Sequence, residues 1–347
     1  MNSWKPLRTY KIVEIFILIL TMIAVIVLFD SKGLLKWAHA LNVGEPRRSL
    51  LGIMRPVYTF NNSLKVTVPK DNFDTLYKHI SGLKTDPGYT INLLNDNIAY
   101  EIKIDSAKVK ALSSCNVKVY SKKNKLKAIL IGDSMMGWGF GVSMENCLDR
   151  DSMAIAKRYS KVLSGLSRLD FYNWFNQMEN IFTTEHYDVA IVMMGTNDGQ
   201  SFEQEGVVFQ YNTPKWRNEY GKRVNNFLKL LLNNVKYVYW VNLPPMRSEK
   251  MQEIEGLISS ISKKEVAKFP HAEWVESKPV LGDASGRYQH TMLYKKRMII
   301  IRHDDGIHFT NAGGELLASV VYNKIVKKFY KTSEKQIFTE GKRNPFN

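Results

Sequence analysis

Lys127-Ala128-Ile129-Leu130-Ile131-Gly132-Asp133-Ser134-Met135-Met136-Gly137 is a short apolar run, stopped by a glycine and followed at once by small polar residues. A run this short, rich in Ile and Leu and bounded by a breaker, reads as a strand buried on both faces. Open parallel sheets bind their ligands just past the carboxyl ends of the strands. Ser134 falls at that position and is a nucleophile candidate. A serine there can also do no more than cap the next helix.

Working outward, strands and helices alternate from Leu126 onward, which predicts a parallel sheet covered on both faces. The expected strands are Ala128–Ile131, Lys161–Leu163, Val189–Met193, Tyr237–Val241 and Ala272–Val275. Helices are expected at about 142–158, 170–182, 216–234 and 249–268. Asn311 to Tyr330 reads as a last amphipathic helix, with Leu316, Leu317, Val320, Val321 and Ile325 on its apolar face. Leu281 to Ile301 breaks the alternation and is expected to hold a hairpin.

Ahead of this region the chain changes character. Ile15 to Phe29 is uncharged and almost wholly apolar, and with Ile12 and Val13 it reaches the lower limit for a membrane-spanning helix. Lys5, Arg8 and Lys11 precede it, which keeps a short N-terminus in the cytoplasm. A cleaved signal peptide is the rival reading. The only cleavage-like triplet, Ala38-His39-Ala40, lies far beyond the apolar run, so an uncleaved anchor is expected. Leu34 to Leu51 has helical spacing interrupted by Gly44 and Pro46. Phe73–Ile80 is expected to form a short helix and Ile98–Ile104 a strand. The expected organisation is a cytoplasmic N-terminus (1–11), an anchor (12–29), a membrane-proximal lead-in that packs on the main domain (30–125), the main domain (126–330) and a tail (331–347).

The chain of 347 residues carries a net charge of +16 and 44% hydrophobic residues. That is a globular composition with a sizeable core. A basic balance suits an anionic partner, but the short clusters such as Lys122-Lys123, Lys263-Lys264 and Lys295-Lys296-Arg297 form no nucleic-acid motif, and export would be odd for a nucleic-acid binder. Cys115 and Cys147 have no metal spacing. One bridge between them and two unpaired thiols both remain open.

Four polar sites fall past expected strands: Gly132-Asp133-Ser134, Ser164-Gly165-Leu166-Ser167, Met194-Gly195-Thr196-Asn197-Asp198 and Asp305-Gly306-Ile307-His308. Together they supply the parts of acyl transfer. Ser134 is the nucleophile, His308 its general base, and Asp305 orients the imidazole. The backbone N–H groups of Ser134 and Gly165 and the side-chain amide of Asn197 are the oxyanion-hole donors. Gly165 is expected to be glycine so that backbone can approach the substrate closely. Asp133 and Asp198 read as acceptors that stabilise loops. Trp138 and Phe140 are candidates to line the substrate cleft, core packing being the alternative. A capping role for Asp305 and His308, and a metal held by His303, Asp304 and His308, are weaker readings, the latter because no matching ligand lies elsewhere. Gly137, Gly139 and Gly141 do not fit the dinucleotide fingerprint. Met136 stands where the nucleophile elbow of an α/β-hydrolase needs glycine.

These four blocks resemble the SGNH (GDSL-type) hydrolase family, named for a Ser, Gly, Asn and His in four separated blocks, over about Leu126 to Tyr330. The phrases Ser164-Gly165-Leu166-Ser167-Arg168-Leu169-Asp170-Phe171-Tyr172-Asn173-Trp174 and Asp305-Gly306-Ile307-His308-Phe309-Thr310-Asn311-Ala312-Gly313 are similar to one bacterial branch whose members are exported or membrane-anchored. Met135 replaces the usual Leu, a volume-conserving change. The N-terminal hundred residues have no counterpart in simple lipases of the family. The resemblance implies a flavodoxin-like three-layer α/β/α sandwich with a central parallel sheet, no metal or other cofactor, and esterase or acyltransferase chemistry. The expected protein is a serine esterase of the inner membrane, facing the periplasm or exterior, that removes O-acyl groups, chiefly acetyl, from a cell-envelope glycan. The alternatives are an O-acetyltransferase served by a membrane-embedded acyltransferase, and a non-catalytic glycan-binding or assembly protein on the same fold.

Overall fold

The computed structural model describes residues 12–41, 43–66 and 120–330. The helix expected at Phe73–Ile80, the strand at Ile98–Ile104, Cys115, the basic residues 5–11 and the tail 331–347 lie outside them. The chain divides into two compact units, residues 1–96 and 97–347, each described by itself.

The first unit contains helix α1 (Ile12–Phe29), α2 (Ser31–Ala40) and α3 (Glu45–Ser63). Helix α1 is apolar and long enough to cross a membrane, since 18 residues rise about 27 Å. Asp30 ends it and caps α2, accepting from the Gly33 N–H. Gly44 and Pro46 do interrupt the helical pattern: Gly44 caps α3 and Pro46 sits in its first turn. Helices α2 and α3 close on Leu35, Ala38 and Leu51. The Asn61 side chain of α3, almost fully buried, donates to the carbonyls of Val27 and Leu28 at 2.8 and 3.1 Å. Those carbonyls belong to the last turn of α1, where no intrahelical donor remains.

The second unit opens with β1 (Leu126–Gly132), α4 (Ser134–Gly137), α5 (Phe140–Arg150), β2 (Ala154–Ser160), α6 (Trp174–Thr184) and β3 (Val189–Met193). A small hairpin, β4 (Phe202–Gln204) and β5 (Val207–Phe209), follows. Then come α7 (Pro214–Leu232), β6 (Tyr237–Val241), α8 (Glu249–Val266), β7 (Ala272–Val275), α9 (Lys278–Leu281), the hairpin β8 (Thr291–Tyr294) and β9 (Arg297–Ile300), and α10 (Asn311–Phe329). The five long-range strands pair in parallel in the order β2-β1-β3-β6-β7. Helices α5 and α10 cover one face, and α6, α7 and α8 the other. This is the flavodoxin-like order, and its switch point lies between β1 and β3. The central strands β1, β3 and β6 are buried almost throughout, as a sheet covered twice requires.

The second strand differs from expectation. It runs over Ala154–Ser160, and residues 161–163 lie in the turn beyond it. Helix α5 stops at Arg150, short of the expected 158, because Asp151 turns the chain: its carboxylate accepts from the Met153 N–H at 2.8 Å. An edge strand needs only one buried side, so β2 lacks an apolar run. Lys157 and Arg158 instead pair with Glu185 and Glu145 across the surface. Leu163 sits at φ 62°, exposed, a backbone conformation unusual for a branched side chain.

Gly132 explains why the apolar run must end in glycine. A Cβ there would collide with the Met193 carbonyl oxygen and crowd Met136. Gly132→Ala is therefore expected to push β1 from β3 and to destabilise the unit by about 1–3 kcal/mol, the usual cost of overpacking. Chemical denaturation of the full-length chain measures it; an unchanged midpoint would contradict the close approach.

Candidate active site

Ser134, Gly165, Asn197 and His308 sit on four loops that leave the carboxyl edge of the sheet or precede α10. Ser134 is the first residue of α4. Its Oγ lies 2.8 Å from His308 Nε2. His308 Nδ1 lies 2.6 Å from Asp305 Oδ2. The other Asp305 oxygen accepts the N–H groups of Ile307 and His308 at 2.7 and 2.9 Å. Partial burial pushes the Asp305 carboxyl up, but these hydrogen bonds and His308 outweigh it and leave the group lowered to about 2. A carboxylate so held stays charged and fixes the imidazole with Nδ1 as donor, freeing Nε2 to take a proton from Ser134.

Among the described residues, no acceptor meets the backbone N–H of Ser134 or that of Gly165. The Asn197 amide donates to the Ser164 carbonyl at 3.1 Å and, more loosely, to Thr196 Oγ1 at 3.3 Å. Gly165 owes its identity to something other than the expected approach of substrate. A Cβ would strike the Asp198 carboxylate. That carboxylate accepts from the N–H groups of Leu166 and Ser167 at 3.1 and 2.7 Å and from the Tyr220 hydroxyl at 2.9 Å. Burial raises its pKa.

Asp133 is also fully buried. One oxygen accepts from the Met135 N–H at 2.9 Å. The other accepts from the N–H groups of Gly195 and Thr196 and from Thr196 Oγ1, at 2.9, 3.1 and 2.7 Å. Desolvation drives its pKa up to about 6 against these bonds. Both aspartates thus join loops and face away from solvent.

Trp138 is half-exposed and stands edge-on to His308, with ring centroids 4.9 Å apart and planes at 74°. Phe140 corrects the sequence reading. It is fully buried at the start of α5, packed inside the unit and unable to line a cleft. Cys147 is a free, buried thiol whose pKa burial pushes up to about 12. Among the described residues no group of three metal-ligating side chains occurs, and His303 and Asp304 do not join His308 in one.

Two arginines were not singled out from the sequence. Arg223, buried in α7, donates to the Leu166 and Ser167 carbonyls at 2.9 and 2.7 Å. Arg302, wholly buried, donates to the Pro245 and Ile307 carbonyls, both at 2.6 Å. The available signal was position. Arg223 lies at helical spacing between Tyr220 and Phe227 on the apolar side of α7, and Arg302 directly follows Ile299-Ile300-Ile301.

A family model described as a protein of unknown function, DUF459, matches residues 127–324, more than half of the chain. The chain belongs to that family. The DUF459 region coincides with the sheet and its four loops. No curated protein matches the chain. Among solved structures, it is similar to a GDSL-like lipase from Bacteroides thetaiotaomicron (13% identity, 64% of this chain and 96% of that one, TM-score 0.42). It is similar also to an acetylxylan esterase from Geobacillus stearothermophilus (15%, 60% and 97%, TM-score 0.41). The DUF459 region has the flavodoxin-like strand order and carries the four blocks named for the SGNH hydrolases.

Asp133→Asn places an amide where only donors converge, leaving buried N–H groups unpaired, and is expected to cost about 1–3 kcal/mol. A raised carboxyl pKa contributes stability that is present below the unfolded value, 3.8, and is lost as pH rises through about 6. The melting-temperature gap between wild type and Asp133→Asn should therefore widen as pH falls from 7 towards 4. Thermal unfolding across that range checks the sign.

Proposed function

We propose that this protein is a membrane-anchored serine esterase acting on O-acyl groups, chiefly acetyl, of a cell-envelope glycan. The observation that carries the reading is the unbroken chain Ser134 Oγ–His308–Asp305, at 2.8 and 2.6 Å. His308 Nε2 takes the Ser134 proton as Oγ bonds to the ester carbonyl carbon. The carbonyl electrons move to oxygen, which the N–H groups of Ser134 and Gly165 and the Asn197 amide stabilise. The long contact of Asn197 with Thr196 is the one the oxyanion displaces. Collapse breaks the ester bond, His308 passes the proton to the departing sugar oxygen, which leaves as a hydroxyl, and an acyl-serine remains. Water then attacks with His308 again as base and releases the carboxylic acid and free Ser134. Trp138, beside His308, offers an aromatic face for the sugar.

The tie from Asn61 to the end of α1 supports a retained anchor, since cleavage after α1 would strip that buried amide of its acceptors. With Lys5, Arg8 and Lys11 ahead of the span, the catalytic unit would face the periplasm or exterior. A tether also favours a second reading, transfer of acetyl from a membrane-embedded acyltransferase to a glycan hydroxyl, because it raises the effective concentration of the two proteins. The same acyl-serine serves both outcomes.

Ser134→Ala should abolish both hydrolysis of a chromogenic acetyl ester and labelling by a fluorophosphonate probe, with the fold intact. His308→Ala should come close, and Asp305→Asn should cost less. Asn197→Ala should lower kcat by about 10²–10³-fold with little change in KM. Wild-type turnover in Ser134→Ala would sink the mechanism and leave the non-catalytic reading. The chain should resist carbonate extraction from membranes and keep its N-terminus; a soluble form beginning near Leu41 would show a signal peptide instead. Supplying an acetyl donor with glycan and following the glycan by mass spectrometry separates the two enzyme readings: a Ser134-dependent gain of acetyl means transfer, loss alone means hydrolysis.

A further inference from the structure

The loop carrying Asp305 and His308 is almost free of regular structure. Within it, the His303 N–H donates to the His308 carbonyl at 2.9 Å and the Gly306 N–H to the His303 carbonyl at 3.0 Å. Gly306 takes φ 72°. Together with the Asp305 contacts to Ile307 and His308, these bonds fix residues 303–308 to one another, but they do not fix those residues against Ser134. What holds them is the segment after β6. On one side, the Arg247 N–H donates to the Gly306 carbonyl at 3.2 Å, and its guanidinium donates to the Asp304 carbonyl. The space a Gly306 Cβ would fill is occupied by the Arg247 side chain.

On the other side, Arg302 reaches into the loop. Its guanidinium is fully buried, sits 5.1 and 5.4 Å from the ring centroids of Tyr288 and Phe309, and makes no carboxylate pair among the described residues. One nitrogen donates to the Pro245 carbonyl at 2.6 Å. The other donates to the Ile307 carbonyl at 2.6 Å and to the Gly306 carbonyl at 3.4 Å. Its Nε meets no acceptor. Burial lowers its pKa to about 10, although Tyr288 and Asp305 favour the charge. A charged group in such a place costs folding free energy unless hydrogen bonds meet it, and here backbone carbonyls meet both terminal nitrogens. The carbonyls it grips belong to the two residues immediately before His308.

We infer that Arg302 is a positioning residue for acyl transfer: by bridging the Pro245 carbonyl to those of Gly306 and Ile307, it fixes where His308 presents Nε2 to Ser134. The inference rests on the Ser134–His308–Asp305 reading given above. Lysine keeps the charge but has no planar fork to span two carbonyls. Methionine keeps much of the volume and none of the donors.

The test uses the full-length chain in detergent, a chromogenic acetyl ester, and turnover normalised to folded protein from the amplitude of the thermal transition. Arg302→Met is expected to lower kcat by about 10²-fold, the scale of a one-ångström misplacement, with KM nearly unchanged. Arg302→Lys is expected to recover about tenfold of that loss. Because Arg302 acts through His308, the losses of Arg302→Met and His308→Ala should not add in the double variant. A purely structural arginine would lower the melting temperature and leave kcat per folded molecule at the wild-type value in both Arg302 variants; that result overturns the inference, as do losses that multiply. Should Arg302→Met fail to fold, Arg302→Lys alone decides, by a kcat below wild type at constant KM or by none. If Ser134→Ala and His308→Ala themselves keep wild-type turnover, the acyl-transfer reading falls and this inference with it. If they lose turnover and the Arg302 variants keep it, only this inference falls.

Discussion

The buried carboxylate of Asp133 is the constraint on which the candidate site depends. Ser134 stands on a single helical turn at the end of β1, and Asn197 on the loop after β3. A single helical turn does not by itself set Ser134 against the Asn197 loop. Asp133 joins them by accepting four hydrogen bonds, one from its own loop and three from Gly195 and Thr196. The bonds span the switch point of the sheet, where a crevice opens because the connections leave in opposite directions. Asp198 repeats the device one loop further on, gripping the backbone of Leu166 and Ser167 and filling the space beside Gly165. Burying carboxyl groups is a costly means of fixing loops, but an ionised carboxylate offers about four acceptor sites and no donor, which suits several converging N–H groups.

The arginines complete the same logic with the opposite sign. Loop carbonyls need donors, and a guanidinium supplies several in a rigid plane. Arg223 holds the Leu166 and Ser167 carbonyls from α7, and Arg302 holds those of Gly306 and Ile307 from the end of the β8–β9 hairpin. Each of these loops is therefore fastened by a buried carboxyl or guanidinium group. Ser134 and His308 meet at 2.8 Å over 174 residues of sequence, and these buried side chains tie the loops that carry them to the rest of the unit.

The first unit shows the same use of a polar side chain at an unsatisfied end. The last carbonyls of α1 have no helical donors, and Asn61, 33 and 34 residues further on, supplies them. The amide is nearly fully buried, so it binds α3 to the end of the apolar helix.

The parallel sheet, its central strands and the four blocks were legible in the sequence. Buried strands flanked by helices write continuous apolar runs, and the residue types that acyl transfer needs stand directly after them. Val189–Met193 and Tyr237–Val241 were legible to the residue for that reason; Ala272–Val275, at the other edge of the sheet, matched as well although only Val275 of it is buried. The edge strand Ala154–Ser160 was not, because one buried side leaves room for Lys157 and Arg158, and its pattern runs on from the preceding helix. Phe140 was ambiguous because an aromatic near a serine is written alike whether it faces a cleft or the core; only its packing at the start of α5 placed it inside. Gly165 was recognised, but its reason lay in Asp198, 33 residues away. The roles of Arg223 and Arg302 were decided by tertiary structure alone, since a buried arginine is distinguished from a solvated one only by the carbonyls that folding brings to it.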